Sequence, residues 1–186
     1  TVTTLSCMLF GAVSGSGAAT ASAVGSVIAP EAEESGYDKT FIAAIIAAAG
    51  PLGILIPPSI PMVVYGAATG TSIGKLLLSG VGPGILFGII LIIYGYWVSV
   101  RKGYGGVLEF KFSNVINSFK RAVWALLTPI IILGGIYSGI FTPTEAAAVA
   151  AVYSLFVGMV IYKTLKLEDL PDIFIKSSVT SATIMF

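Results

Sequence analysis

The sequence Gly50-Pro-Leu-Gly-Ile-Leu-Ile-Pro-Pro-Ser59 lies in the middle of a charge-free segment, Thr40–Gly74, and contains three prolines and two glycines. Proline lacks a backbone N–H and clashes with the preceding turn, so both Gly50–Pro51 and Pro57–Pro58 should break a helix here. A simple kink needs only one proline. Two breaks therefore favour a discontinuous helix, whose exposed ends can bind ions, over a structural kink.

The rest of the chain has the composition of an all-α polytopic membrane protein. Of its 186 residues, 56% are hydrophobic and only 10% are charged, whereas a soluble domain carries about 25% charged residues. The mean hydropathy is +0.97. Charges are absent from four runs, each long enough for the roughly 20 helical residues that cross a bilayer: Thr1–Pro30, Thr40–Gly74, Leu76–Val100 and Ala122–Thr144.

A second irregular segment, Ser14-Gly-Ser-Gly-Ala-Ala-Thr20, lies within a run of small residues, Gly11–Ser26. Glycine pairs let the backbone leave helical angles, and unwound backbone at membrane depth is tolerated only where it faces protein or a wet cavity. Sodium can satisfy such carbonyls, and transporters commonly build ion sites in this way. Close helix packing through small residues is the alternative explanation.

The remaining segments predict further membrane helices. Lys75 lies in a short amphipathic stretch, Ser72–Val81, and Pro83 is placed to begin the span Gly84–Val100. Ser113–Ala125 has the pattern of an interfacial amphipathic helix. The predicted elements after it are the span Ala125–Ile140, a helix from the N-cap Thr142 through Pro143 and Glu145 to about Tyr162, a surface segment Leu170–Ile175, and a span from Ser177.

Basic residues indicate the orientation. Arg101–Arg121 contains five of them, and Lys163 and Lys166 follow two spans later. Positive residues gather on the cytoplasmic side, so both groups are predicted to be cytoplasmic and Thr142–Glu145 periplasmic. Glu31–Asp38 should then also be cytoplasmic. Trp97 and Trp124 fit the role of interfacial anchors.

Several function classes are disfavoured. A net charge of +1 gives no electrostatic basis for binding nucleic acid. The chain has no histidine and a single cysteine, Cys7, so it lacks a catalytic dyad and an internal disulfide. We therefore expect no enzyme activity. Because Thr1 is not a methionine and Phe186 ends an apolar run, we expect a fragment of a longer chain.

Five motifs in this order resemble the large membrane subunit of TRAP transporters, the tripartite ATP-independent periplasmic systems. They are Gly11-Ala-Val-Ser-Gly-Ser-Gly-Ala-Ala-Thr-Ala21, Gly36-Tyr-Asp38, Leu52-Gly-Ile-Leu-Ile-Pro-Pro-Ser-Ile60, Pro83-Gly84 and Gly139-Ile-Phe-Thr-Pro-Thr-Glu-Ala146. The resemblance covers essentially the whole chain, which would be the middle section of that subunit.

The resemblance implies an elevator-type transporter with two inverted repeats. Residues 1–36 would form a re-entrant helical hairpin that enters from the cytoplasm, and residues 37–71 a discontinuous transmembrane helix. Residues 72–112 would hold an amphipathic segment, a transmembrane helix and a cytoplasmic loop. Residues 113–186 would begin the second repeat, whose own hairpin and broken helix would follow Phe186.

The hairpin tip and the broken helix would form half of the ligand site. The residues expected to bind substrate are Ser16, Thr20, Pro58 and Ser59. Those expected to hold sodium, mainly through backbone carbonyls, are Ser14, Gly15, Ser16, Gly50, Gly53 and Pro57. Sodium would be the coupling ion, and no other cofactor is expected.

The implied function is sodium-coupled uptake of an organic acid anion, such as a C4-dicarboxylate or sialic acid, across the bacterial inner membrane. A periplasmic binding protein would deliver the substrate, and a small membrane subunit would support the large one. The alternatives are a sodium/dicarboxylate symporter without a binding protein and, from another class, a membrane scaffold.

Overall fold

The computed structural model describes residues 1–104 and 112–185, and this part of the chain is helical, without strands. Its α-helices are α1 (Val2–Ser14), α2 (Gly17–Glu34), α3 (Lys39–Ala49), α4 (Leu52–Leu55), α5 (Ile60–Thr69), α6 (Ile73–Arg101), α7 (Phe112–Tyr137), α8 (Pro143–Phe156) and α9 (Leu170–Met185). The predicted cytoplasmic loop before α7 includes Lys111, which lies outside the described residues.

Within the described residues, three helices are long and apolar enough to cross a membrane. They are α6, the Val115–Tyr137 part of α7, and α8 with its extension to Ile161. Lys39–Leu55 and Ile60–Thr69 together give a fourth candidate span, which is bent by 42°. The prediction of a polytopic all-α membrane protein is confirmed.

Helices α1 and α2 form a tight hairpin. Gly15 ends α1 in the left-handed conformation with φ of 65°, and the Ser16 side chain accepts a hydrogen bond from the Ala19 N–H at the start of α2. Helix α1 has 13 residues, or about 20 Å at 1.5 Å per residue, which is short of the roughly 30 Å hydrocarbon core.

The Gly50–Ser59 segment differs in part from its prediction. Gly50 and Pro51 keep right-handed helical angles, so the first predicted break is only a tight turn between α3 and α4. The real interruption comes at Pro57–Pro58, which are joined by a cis peptide bond. Helix α5 then resumes at Ile60, as expected.

Three other predicted boundaries are absent from the described structure. Pro83 does not begin a helix, because α6 runs continuously through it and includes the amphipathic stretch around Lys75. Helix α6 contacts α1, α3, α4 and α5. It packs against Leu55 at Gly80, before the proline, and against Met8 at Gly88, after it. Similarly, α7 joins the predicted interfacial helix to the following span, and α9 joins the predicted surface segment to the span from Ser177.

The chain divides into two compact units, Thr1–Ala122 and Val123–Phe186. In the first unit, α1, α2, α3, α4 and α6 enclose a core of Cys7, Val24, Ala49, Leu52 and Leu91. Small residues on α6 allow close packing. A Cβ at Gly80 would lie 2.5 Å from the Leu55 carbonyl oxygen, and one at Gly88 would lie 2.6 Å from the Met8 sulfur.

In the second unit, Thr142 caps α8 as predicted. Its hydroxyl accepts the Glu145 N–H, and the Glu145 carboxylate accepts the Thr142 N–H, which completes a capping box. A π-helical turn, Val157–Ile161, extends α8 to the end predicted from the sequence. The Tyr153 hydroxyl donates to the Trp124 carbonyl over 2.8 Å and ties α8 to α7.

Candidate functional site

The hairpin tip is organised by hydroxyl groups. The Ser14 Oγ and Thr20 Oγ1 atoms lie 3.0 Å apart, and Thr20 Oγ1 also donates to the Ser16 carbonyl over 2.7 Å. The Ser14 hydroxyl is 3.3 Å from both the N–H and the carbonyl oxygen of Ser16. These bonds span the turn from both helices and concentrate neutral oxygen atoms at the tip.

The tip packs directly on the interrupted helix. The Ile60 N–H, at the start of α5, donates to the Gly15 carbonyl over 3.1 Å. A Cβ on Gly15 would lie 2.8 Å from the Pro58 carbonyl oxygen, and one on Gly53 would lie 2.8 Å from the Ser16 carbonyl oxygen. Only glycine permits this approach, because at under 3.0 Å a side chain would force the backbone apart.

Four helix ends therefore meet at one place. The C-terminal end of α1 and the N-terminal end of α2 form the tip. The C-terminal end of α4 and the N-terminal end of α5 flank the Pro57–Pro58 break. A helix N-terminus presents unpaired N–H groups and partial positive charge, while a C-terminus presents carbonyls and partial negative charge. The site thus offers both kinds of partner without using an ionised side chain.

The prolines add unpaired carbonyl groups. Pro57, Pro58 and Pro61 cannot donate to the carbonyls four residues before them. Those carbonyls belong to Gly53, Ile54 and Pro57, and in the described part of the chain no other backbone N–H donates to them. Gly53 and Pro57 are buried and Ile54 is partly buried. Because buried carbonyls normally have a partner, this group of oxygens is a candidate set of cation ligands.

One side-chain oxygen at the break is also unpaired. Ser59 is 1% exposed, and among the described residues its hydroxyl has no hydrogen-bond partner. Leaving a buried hydroxyl unpaired costs roughly 1–3 kcal/mol. A bound ligand would remove this cost. Thr4, in α1, is the other buried hydroxyl in the described residues without a partner, and it lies about three turns from the tip.

The structure brings both groups of predicted site residues together. Ser14, Gly15, Ser16 and Thr20 form the tip, Gly53 and Pro58 contact it, and Pro57 and Ser59 are buried at the break. Gly50 is one turn removed: it packs against the Gly17 carbonyl, and its own carbonyl accepts the Gly53 N–H over 2.9 Å.

The sequence prediction missed the bridging role of Ile60. Ile60 is the first residue of α5, so its N–H has no acceptor within that helix. It donates to the Gly15 carbonyl at the tip instead. The run Pro57-Pro58-Ser59-Ile60 contained that signal. The described residues contain no cluster of three or more histidine, cysteine or acidic side chains that could hold a metal.

Comparison with known proteins agrees with this architecture. The full chain, residues 1–186, matches the DctM component of the tripartite ATP-independent periplasmic transporter family. It is 50% identical to the C4-dicarboxylate TRAP transporter large permease protein DctM of Pseudomonas aeruginosa, over 98% of this chain and 43% of that protein.

Other relatives carry different substrate names. The isethionate TRAP transporter permease protein DctMQ of Oleidesulfovibrio alaskensis is 47% identical over 96% of this chain and 28% of its own length. The sialic acid TRAP transporter large permease protein SiaM of Vibrio cholerae is 39% identical over 98% of this chain and 43% of its own length. The chain spans less than half the length of these relatives. With the family match along its whole length, this multi-pass membrane chain belongs to the large permease subunits of the TRAP transporters.

Proposed function

We propose that the complete protein is a sodium-coupled carrier that imports an organic acid anion. The observation that carries this proposal is the meeting of four helix ends at the contact between the hairpin tip and the Pro57–Pro58 break. A carrier must bind a cation and an anion side by side and must also release both. Backbone ends and hydroxyls can bind both ions without a fixed charge that would hold either one permanently.

Sodium fits the oxygen set at this site. Hard cations prefer carbonyl and hydroxyl oxygens, and here the Gly53, Ile54 and Pro57 carbonyls lack backbone donors within the described chain. The tip adds the Ser14 hydroxyl and the backbone of Gly15 and Ser16. These residues would hold the ion, whose positive charge would then attract the substrate carboxylate.

The anion would bind at the N-terminal end of α2. In the described structure, the N–H groups of Ala19 and Thr20 donate to Ser16. The other N–H groups of the first turn, those of Gly17 and Ala18, have no acceptor among the described residues. Such groups bind carboxylates readily. Ser16, Thr20, Pro58 and Ser59 would line the position next to them.

The remaining features of the proposal concern the whole transporter. The hairpin would enter the inner membrane from the cytoplasm and return, because α1 is too short to cross it. The unit that carries the site would move as an elevator against a scaffold. A small membrane subunit would brace that scaffold, and a periplasmic binding protein would supply the substrate. The relatives' names cover C4-dicarboxylates, isethionate, ectoine and sialic acid, so the substrate is best sought among small organic acids and zwitterions.

Uptake by the full-length transporter in proteoliposomes tests the proposal. With the small subunit and binding protein present, we expect uptake of labelled substrate under an inward sodium gradient and none under a potassium gradient. Uptake that is equal under both gradients would refute sodium coupling. Uptake that does not need the binding protein would favour a simple symporter, and no uptake of any substrate class would favour a scaffold.

A pair of substitutions tests the site itself. Ser59→Ala should raise the substrate concentration for half-maximal uptake several-fold, because it removes a buried, unpaired hydroxyl from the position where the anion would bind. Thr4→Val is the matched control, since it replaces a buried unpaired hydroxyl with a methyl group of similar size and should be neutral or stabilising. If both variants behave like the wild type, Ser59 does not bind a ligand.

A further inference from the structure

The C-terminal end of α6 carries an exposed Arg–Trp pair that the transport site does not use. The Arg101 guanidinium carbon lies 4.2 Å from the centroid of the Trp97 ring. Trp97 is 50% exposed, and its neighbours Tyr96 and Val100 are 63% and 61% exposed. The opposite face of α6, with Gly88, Leu91 and Gly95, is buried in the first unit.

The length of α6 places this pair near the lipid headgroups. Its 29 residues extend about 43 Å, which matches a bilayer of roughly 40–45 Å with the headgroup layers included. Arg101 is the last residue of the helix. The orientation predicted from the distribution of basic residues puts this end on the cytoplasmic side.

The charge of Arg101 is not neutralised within the described chain. Lys39 is paired with Glu33 over 2.9 Å, whereas no salt bridge among the described residues involves Arg101. The contact with Trp97 holds the guanidinium over the indole ring, because a cation is attracted to the face of the ring. Among the described residues no hydrogen bond uses the guanidinium N–H groups, and these groups match the oxygens of a phosphate group in pairs.

From this geometry we infer that Arg101 and Trp97 form a binding site for the phosphate of an anionic phospholipid in the cytoplasmic leaflet. The guanidinium binds the phosphate. The Trp97 indole, Tyr96 and Val100 contact the acyl-chain carbons nearest to the headgroup. Lys102, the next residue, adds a second positive charge, and its ammonium lies 5.9 Å from the Tyr104 ring centroid. Such a lipid would anchor the end of α6 at a fixed depth in the membrane.

Lipid retention by the full-length transporter tests the inference. The protein is placed in nanodiscs containing phosphatidylcholine and phosphatidylglycerol, and the lipids that remain bound are counted by native mass spectrometry. The wild type should retain phosphatidylglycerol in preference to phosphatidylcholine. Arg101→Gln should lower that preference about fivefold, the value of one basic residue at an anionic surface.

Lys39→Gln is the matched control. It removes a charge that is also exposed and predicted to be cytoplasmic but is already paired with Glu33, so lipid retention should not change. Arg101→Lys keeps the charge without the planar contact and should give an intermediate preference. Equal retention of both lipids by the wild type would overturn the inference, as would wild-type retention by Arg101→Gln. Loss of the small subunit from Arg101→Gln with unchanged lipid would assign Arg101 to a protein interface instead.

Discussion

The chain contains two helix-to-helix turns that use the same local chemistry in opposite surroundings. Each turn ends a helix at a glycine in the left-handed conformation, Gly15 with φ of 65° and Gly139 with φ of 73°. Each then begins the next helix with a hydroxyl N-cap, Ser16 or Thr142. The first turn is buried against the Pro58 carbonyl, whereas a Cβ on Gly139 would meet nothing within 4 Å.

Charge is what separates the two turns in the sequence. The Thr142 cap is completed by Glu145, an ionised side chain that needs water nearby. The Ser16 cap has no acidic partner in the first turn of α2 and makes only a 3.4 Å bond to Ala19. We therefore expect the turn with the charged capping box to lie at the membrane surface, whereas the charge-free cap with several glycines belongs to a turn held by tertiary contacts.

The largest expected difference between the turns is their position across the membrane. Cysteines placed in the full-length protein at Val2 and Glu34, at the open end of the hairpin, should react only with an impermeant thiol reagent on the cytoplasmic side. A cysteine at Ile140, beside the second turn, should react only from the periplasm. Val2 and Ile140 are each 71% exposed, and native Cys7 is fully buried and should not compete.

Labelling of Val2→Cys and Glu34→Cys from opposite sides would show that the hairpin crosses the membrane. The re-entrant interpretation would then be wrong. Labelling of Ile140→Cys from the cytoplasm would show that the orientation predicted for the second turn is wrong.

The next largest effect should come from the two glycines. Gly15→Ala places an alanine in the left-handed conformation, which should cost about 1–2 kcal/mol of stability. It must also displace the Pro58 carbonyl, which should cost about 1–3 kcal/mol more. Gly139→Ala has only the first cost. We expect Gly15→Ala to abolish sodium-driven uptake and Gly139→Ala to lower the thermal stability in detergent while uptake persists.

A further comparison separates geometry from lost ligands at the tip. Gly15→Val should impair uptake more than Ser14→Ala, because the latter removes one hydroxyl but leaves the turn and the Ile60–Gly15 bond in place. If Gly15→Ala and Gly139→Ala reduce sodium-driven uptake equally, the contact between the hairpin tip and the Pro57–Pro58 break does not contribute to transport.

The sequence was sufficient to predict the elements that local chemistry specifies. Prolines predicted the interruption at Pro57–Pro58, and Thr142 with Glu145 predicted the start of α8. It was insufficient where packing overrides local preference. Pro83 lies inside α6 because neighbouring helices support that helix, and Gly50 stays helical although proline follows it.

The sequence predicted which residues belong to the candidate site but not how the hairpin tip and the interrupted helix contact each other. Ser14–Thr20 and Gly50–Ser59 were each recognisable from glycine, proline and hydroxyl content. The Ile60–Gly15 hydrogen bond and the close approach of Gly53 to Ser16 depend on tertiary packing, which no local pattern encodes. The unpaired state of the Ser59 hydroxyl likewise became visible only with the structure.

The smallest expected effect comes from substitutions of the two N-caps. Here the larger loss of stability should occur at the second turn, whereas the glycine substitutions should have their larger effect at the first turn. Thr142→Ala removes the hydroxyl that accepts the Glu145 N–H, so the second turn should lose about 1 kcal/mol of stability. Ser16→Ala should cost less than about half of that, because among the described residues the Ser16 hydroxyl makes only its cap bond, whereas the Thr142 hydroxyl also donates to the Glu145 carboxylate over 2.8 Å. The Thr20 N–H already bonds to the Ser16 carbonyl, which the substitution keeps. Thermal unfolding of the purified full-length variants measures both costs. A larger loss for Ser16→Ala than for Thr142→Ala would show that the hairpin turn depends on its own cap, and the contact with the broken helix would then be a consequence of the turn and not its support.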